Sequence, residues 1–247
     1  MRNGQRSAER RGQFSERTKI EGRFGIILLL LIIAVFFSIS APNEPCAFLA
    51  TTLALATNLS IAMWASGVQP KVLRAWLGVA VLGIGASIFI AITQETRAAG
   101  GYLALTTLLL TLATISAIAR RLWRHVEISV LTVLGALCIY VLLGLSFGFM
   151  FEAVGNLGSQ PFFASQEGGT RSDYMYFSFV TMATVGYGDL TPESGLGRAL
   201  AVTEGLLGQI YLVTAVAALV GNLGPPRAPQ QEKNEEASEE DEWRDGR

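Results

Sequence analysis

Six apolar, largely uncharged runs fill the interior of this 247-residue chain. About twenty such residues are what a helix needs to cross the ~30 Å hydrocarbon layer of a bilayer. The runs cover 24–40, 46–67, 72–93, 101–119, 128–151 and 199–220. Breakers part several of them: Ala41-Pro42-Asn43-Glu44-Pro45 after the first, Gln69-Pro70 after the second, Gly100-Gly101 before the fourth. Charge is pushed to the ends. Residues 1–24 hold seven Arg and Lys, and residues 225–247 hold eight acids. The net charge of −1 is therefore a sum of opposed tails and gives no sign of a nucleic-acid partner. With 51% hydrophobic and 16% charged residues, the chain is too apolar and too unevenly charged for an ordinary soluble domain. An all-α membrane protein with six transmembrane helices, in contact with a lipid bilayer, is the expected fold.

The cations set an orientation, because short cytoplasmic loops carry the excess of Lys and Arg. Arg2, Arg6, Arg10, Arg11, Arg17, Lys19 and Arg23 precede the first run. Lys71 and Arg74 mark the second junction of that sign, and Arg120, Arg121 and Arg124 the third; Arg97 is alone between the third and fourth runs. The pattern predicts a plasma-membrane protein with both termini cytoplasmic and the segment between the last two runs outside. The basic lead and Ser38-Ile39-Ser40-Ala41 also have the shape of an export signal, but cleavage there leaves an odd number of spans, so the first run is read as a helix.

The chain divides into four regions: a basic cytoplasmic segment at 1–23, a four-helix region at 24–124, a pore region at 128–221 and an acidic tail at 222–247. The tail lacks apolar periodicity and is expected to be disordered. Small residues in runs two to four (Thr51, Thr52, Ala54, Ala56; Gly78, Gly83, Gly85, Ala86) suit close helix packing in lipid. Cys46 and Cys138 have no metal-ligand spacing and read as small buried hydrophobes.

The segment from Glu152 to Arg198 is the informative one. After Gly168-Gly169, Ser172-Asp173 reads as an N-cap with an acid in the first turn, opening a short helix at 173–183. Such a helix is too short to span. Irregular backbone at membrane depth is tolerated only where it is buried in protein or lines water, so the stretch after this helix is a candidate pore wall. It reads Thr184-Val185-Gly186-Tyr187-Gly188-Asp189. A dehydrated K⁺ needs a cage of oxygens, and carbonyls supply one weakly enough to release the ion. Pointing successive carbonyls one way requires left-handed or related conformations at alternate residues, which glycine adopts at little steric cost. The short helix directs its negative C-terminal end at the same place.

At these residues the chain resembles the potassium channels, in the form of a prokaryotic-type six-helix channel. Thr184, Val185, Gly186, Tyr187 and Gly188 match that family's selectivity filter position by position, and Asp189 matches the acid that comes after it. The resemblance covers residues 128–221: outer helix 128–151, pore helix 173–183, filter 184–188 and inner helix 199–220. It implies K⁺ as the permeant ion, bound by the filter residues only, and a homotetramer in which each copy supplies one side of the ion cage. It also implies that the inner helix lines the vestibule. Gly208 matches the place where inner helices bend; close packing is the competing reading. Tyr176 and Phe177 occupy positions where many members carry tryptophan. Tyr176 has a hydroxyl for Asp189, whereas Phe177 has no donor for Tyr187. Val180 replaces the acid that some bacterial members place there. A filter supported by Asp189, Tyr176, Phe177 and Val180 thus has fewer cross-braces.

Glu204 is a carboxylate inside a membrane helix and hence a functional candidate, expected to meet the pore-helix region. His125, the single histidine, sits beside the basic cluster and reads as a solvated interfacial residue. No nucleophile–base pair, metal triad or phosphate loop is present, so no enzyme, cofactor or small-molecule substrate is expected. The rival readings keep the pore: a cation channel without strict K⁺ selectivity, or a non-conducting subunit that regulates related chains.

Run 101–119 contains no charge. Each gating charge contributes ~2.3 kcal/mol per 100 mV, so this helix has little leverage on the membrane field. Whole-protein currents are expected to vary shallowly with voltage; a conductance rising steeply over a few tens of millivolts would contradict this.

Overall fold

The structure, a computed structural model, describes residues 24–40, 55–63, 68–93, 96–124, 130–165 and 168–222. The basic segment 1–23, Cys46, His125 and the tail from residue 223 lie outside the described residues. Among the described residues the chain is helical: α1 (Phe24–Ser40), α2 (residues 55–63), α3 (Pro70–Thr93), α4 (Thr96–Arg124), α5 (Val130–Leu157), α6 (Arg171–Met182) and α7 (Gly195–Asn222). They contain no strand, only an isolated bridge between Phe163 and Pro192. Among the described residues, three segments are long and apolar enough to cross a membrane: Arg97–Trp123, Thr132–Leu157 and Gly195–Ala218. α1 is a shorter apolar helix.

Several boundaries differ from the sequence expectation, each for a local reason. Gly100-Gly101, read as a break, lies inside α4. A Cβ on Gly101 would stand 2.6 Å from Leu157 Cγ, and one on Gly100 would stand 3.3 Å from Asn156 Nδ2. The glycines therefore let α4 close against α5. This places Arg97 within α4, where its Nη2 donates to the Gly155 carbonyl at 2.7 Å. A cation thereby satisfies a carbonyl in the last turn of α5. The outer helix continues past residue 151 to Leu157, because the Glu152 charge that marked its end is neutralised internally. The inner helix begins at Gly195, earlier than residue 199, with the Ser194 hydroxyl accepting from Gly197 N at 3.0 Å.

α4 is rich in hydroxyls at membrane depth, where an unpaired polar group is costly. Thr106, Thr107, Thr111, Thr114 and Ser116 each donate to the carbonyl four residues earlier, at 2.7–2.9 Å. The main apolar core joins Phe24, Ile27 and Leu31 of α1 to Trp76 of α3, Leu108 and Ile118 of α4, and Leu142 of α5. The Trp76 indole N–H donates across to Leu110 O at 3.4 Å. α1 runs along α5 and reaches the pore region: the Cys138 thiol points at Phe24 O (3.8 Å), and the Ser172 hydroxyl donates to Ile39 O.

α6 nests on α5 over two small residues one turn apart. A Cβ on Gly144 would meet Phe179 Cε1 at 2.8 Å, and one on Gly148 would meet Met175 Sδ at 2.5 Å. A second, aromatic core of Phe147, Phe151, Phe162, Phe163, Tyr174 and Phe177 fastens α5, the 158–165 segment and α6 together.

Above that core, Arg171 Nε donates to both carboxylate oxygens of Glu152 at 3.1 Å, with side-chain exposures of only 8% and 3%. The Arg171 guanidinium also lies 5.8 Å from the Phe149 ring centroid. Removing one partner of such a pair strands a buried charge. Arg171→Ala is expected to lower the unfolding free energy by about 3–5 kcal/mol, read from denaturation in detergent. The double variant Glu152→Leu/Arg171→Leu should recover most of that loss; equal instability in both would show that the pair is not what matters.

Candidate functional site

The short helix α6 starts two residues earlier than the sequence suggested, and its cap is Thr170, not Ser172-Asp173. Thr170 is extended (φ −87°, ψ 165°) and its hydroxyl accepts from Asp173 N at 3.3 Å, while Asp173 Oδ2 accepts from Thr170 N at 2.8 Å. This reciprocal capping box satisfies two orphan N–H groups. It moves Asp173 to the third helical position and frees the Ser172 hydroxyl to reach α1.

The other end of α6 becomes the loop. Four successive amides turn back onto the last carbonyls of the helix. Ala183 N donates to Phe179 O (3.0 Å), Thr184 N to Thr181 O (3.0 Å), and Val185 N and Gly186 N both to Val180 O (2.9 and 3.4 Å). Val180 thus holds the loop through its backbone. Left-handed φ values then fall on alternate residues: Thr184 (56°), Gly186 (59°) and Gly188 (79°). The alternation expected of the glycines is present, and Thr184 extends it by one more step. A β-branched residue rarely adopts that conformation, and no sequence signal marks it. Among the described residues no donor of the chain reaches the carbonyls of Thr184, Val185, Gly186, Tyr187 or Gly188. Val185 and Tyr187 are exposed, at 50% and 70%. The arrangement is a strip of backbone whose first half, residues 184–186, is held from behind by its N–H groups, with the carbonyls of 184–188 left available.

Outside this strip, the Tyr176 hydroxyl donates to Asp189 Oδ2 at 2.9 Å, and the Tyr176 ring lies parallel to Tyr187 (6.4 Å between centroids, 5° between planes). Phe177 takes a different direction. It packs edge-on against Phe151 (5.2 Å) and Phe163 (5.5 Å), so it anchors α6 in the aromatic core and leaves Tyr187 to Tyr176. Between α6 and the strip remains a cavity of about 300 Å³ lined in part by Tyr176, Val180, Gly186, Gly188 and Asp189. The return to α7 is tied down by Ala164 N to Thr191 O (2.9 Å), Glu193 N to Phe162 O (2.8 Å) and Arg198 Nε to Pro192 O (3.2 Å).

Glu204 of α7 is fully buried and meets α6 as expected: Ser178 Oγ lies 2.5 Å from its Oε1. The same hydroxyl is 2.7 Å from Gly144 O. Ser178 has one proton for two acceptors, and Glu204 Oε2 has no protein partner, so this is a polar knot joining α5, α6 and α7. Gly208 is also buried against α6. A Cβ there would stand 2.8 Å from Met182 Cγ and 3.3 Å from Met182 O, and α7 is an unbroken helix through it. The geometry favours close packing at this glycine. Just beyond, Gln209 Nε2 approaches Thr184 Oγ1 at 3.5 Å. The rest of α7 presents bare apolar side chains, among them Val202, Leu206, Ile210, Val213 and Val216.

Sequence reasoning missed Ser178, Gln209 and the Glu152–Arg171 pair. The last had a signal, since two opposite charges bracket an otherwise weakly charged stretch.

Residues 128–223 match the family model described as "Ion channel", which supports an ion-channel pore in this segment. Protein LctB of Bacillus caldotenax is 35% identical over 95 residues, 38% of this chain and 65% of that protein. Protein LctB of Geobacillus stearothermophilus is 50% identical over 44 residues, 18% of this chain and 31% of that protein. The chain spans less than two thirds of the length of either curated relative.

Gly208→Ala is expected to cost about 1–3 kcal/mol by overpacking in detergent denaturation. Adding Met182→Ala should relieve part of that loss, so the two changes should be non-additive. Strict additivity would leave the hinge reading as the better one.

Proposed function

We propose that the protein is a potassium-selective channel that passes K⁺ down its electrochemical gradient, not strongly gated by voltage. The observation that carries the reading is the alternating left-handed backbone at Thr184, Gly186 and Gly188, with the amides of residues 184–186 engaged behind it. Carbonyls of one loop line one side of an ion path, so the reading requires four copies around a common axis. The bare apolar flank of α7 and the exposed filter strip suit contact with neighbouring copies and a water-filled vestibule. The negative end of α6 at the strip favours a cation over an anion. Runs 24–40, 46–67, 72–93, 101–119, 128–151 and 199–220 are proposed as six spans in the plasma membrane, with both termini in the cytoplasm.

The four-helix region has an evident mechanical part in this reading. α4 packs on α5 through Gly100, Gly101 and Arg97, and α5 carries α6 on Gly144 and Gly148. The chain's flank is thereby continuous with the pore helix. α4 carries arginines only at its ends, Arg97 at one and Arg120, Arg121 and Arg124 at the other.

Purified protein in liposomes, loaded with K⁺ against an outward gradient, tests the proposal. The expected outcome is K⁺ efflux with Na⁺ flux lower by at least about tenfold, a discrimination of ~1.4 kcal/mol. Equal Na⁺ flux would favour a weakly selective cation channel, and no flux a silent subunit; either overturns the reading.

A further inference from the structure

Away from the filter, between α3 and α4, lies a cavity of about 970 Å³. Away from its mouth the walls are apolar, formed by Ala75, Val79, Leu109 and Ala113. The polar groups along it are already engaged: Trp76 Nε1 donates to Leu110 O and Ser116 Oγ to Leu112 O. An occupant at that depth needs no polar groups. The mouth is different, being bordered by Gln69, Arg120 and Arg121. Lys71 and Arg74 belong to the same end of the hairpin, and neither α3 nor α4 contains an acid. The rim is therefore cationic on both of the helices that form it. From Leu109 to Arg121 the α4 wall runs about 18 Å at 1.5 Å per residue. That is close to the ~15 Å hydrocarbon depth of one leaflet.

We propose that this cavity is a binding site for an anionic phospholipid, with one acyl chain between α3 and α4 and the phosphate on Arg120 and Arg121. An apolar slot one leaflet deep, closed by arginines at the end where headgroups lie, matches a charged lipid in both shape and polarity. Guanidinium groups suit phosphate geometry. The Arg121 guanidinium lies 5.6 Å from the Phe24 ring centroid, which links the mouth to α1. A lipid seated here would brace α3 and α4 on the flank of the pore-bearing α5.

The site is tested without ion flux. The chain has four tryptophans, and the variant W64F/W123F/W243F leaves Trp76, which lines the cavity, as the reporter. The full-length variant is placed in vesicles containing mid-chain-brominated phosphatidylglycerol or phosphatidylcholine, and quenching of Trp76 is read. Phosphatidylglycerol should quench at lower mole fraction, by about fivefold for each arginine engaged. R120Q/R121Q should bring the two lipids level, and R120K/R121K should keep the preference. Ala113→Phe, which fills the slot, should weaken quenching by both lipids while helicity by circular dichroism is retained. Equal quenching in the parent, or a preference that survives R120Q/R121Q, overturns the proposal. So does a Trp76 that neither lipid quenches, since a protein segment or a second copy would then occupy the cavity.

Discussion

The loop at 184–188 depends on one exchange of hydrogen bonds. A helix leaves its last carbonyls without partners, and an irregular strand leaves its amides without partners. Here the two deficits cancel: amides of residues 183–186 fall on carbonyls of Phe179, Val180 and Thr181. With the N–H groups of 183–186 engaged, the carbonyl side is free for something else. The left-handed conformations at Thr184 and Gly186 are held by this attachment, and the one at Gly188 costs a glycine little. An isolated peptide of the same sequence has no such constraint.

That attachment is only as rigid as α6, and most of the surrounding structure serves to immobilise it. Thr170 and Asp173 close its N-terminus. Arg171 pins its first turn to Glu152. Two glycines of α5 let Met175 and Phe179 sit close, and the aromatic core with Phe177 fixes its rotation. Ser178 ties it to α5 and to Glu204 of α7, and Gly208 lets α7 approach Met182. These contacts lie on successive faces and turns of a twelve-residue helix, so the loop inherits a defined position from three neighbours at once. Where a tryptophan brace is missing, stacking of Tyr176 on Tyr187 and its bond to Asp189 occupy the outer side.

Polar groups are scarce in this chain, and their placement obeys one rule: each charge at depth has a partner or sits at an end. Glu152 has Arg171, Glu204 has Ser178, and Arg97 has a helix-terminal carbonyl. Arg120 and Arg121 sit at the end of α4, at the mouth of an apolar slot, and this placement is the basis of the proposed anionic-lipid site.

Linear order alone determined a good deal. Apolar runs announce helices, because a backbone in hydrocarbon must satisfy its own hydrogen bonds; among the described residues three of the six runs lie in helices long and apolar enough to cross a membrane. Gly186 and Gly188 mark where alternate left-handed turns fall, since that freedom belongs to the residue itself. The meeting of Glu204 with α6 was legible because a lone polar group among apolar ones must find a partner, whereas the Tyr176–Asp189 bond was legible only through the resemblance of the filter region. What tertiary structure decided was everything that depends on a neighbour's surface. Gly100 and Gly101 look like a break until Leu157 and Asn156 are placed against them, and the packing of Phe177, which also lines the cavity beside the filter strip, on Phe151 and Phe163 has no mark in the sequence. Thr184 has no intrinsic tendency to φ 56°; the closing hydrogen bonds impose it. A residue's own conformational range is written in its identity, whereas the cost of an approach between two helices exists only once both are in place.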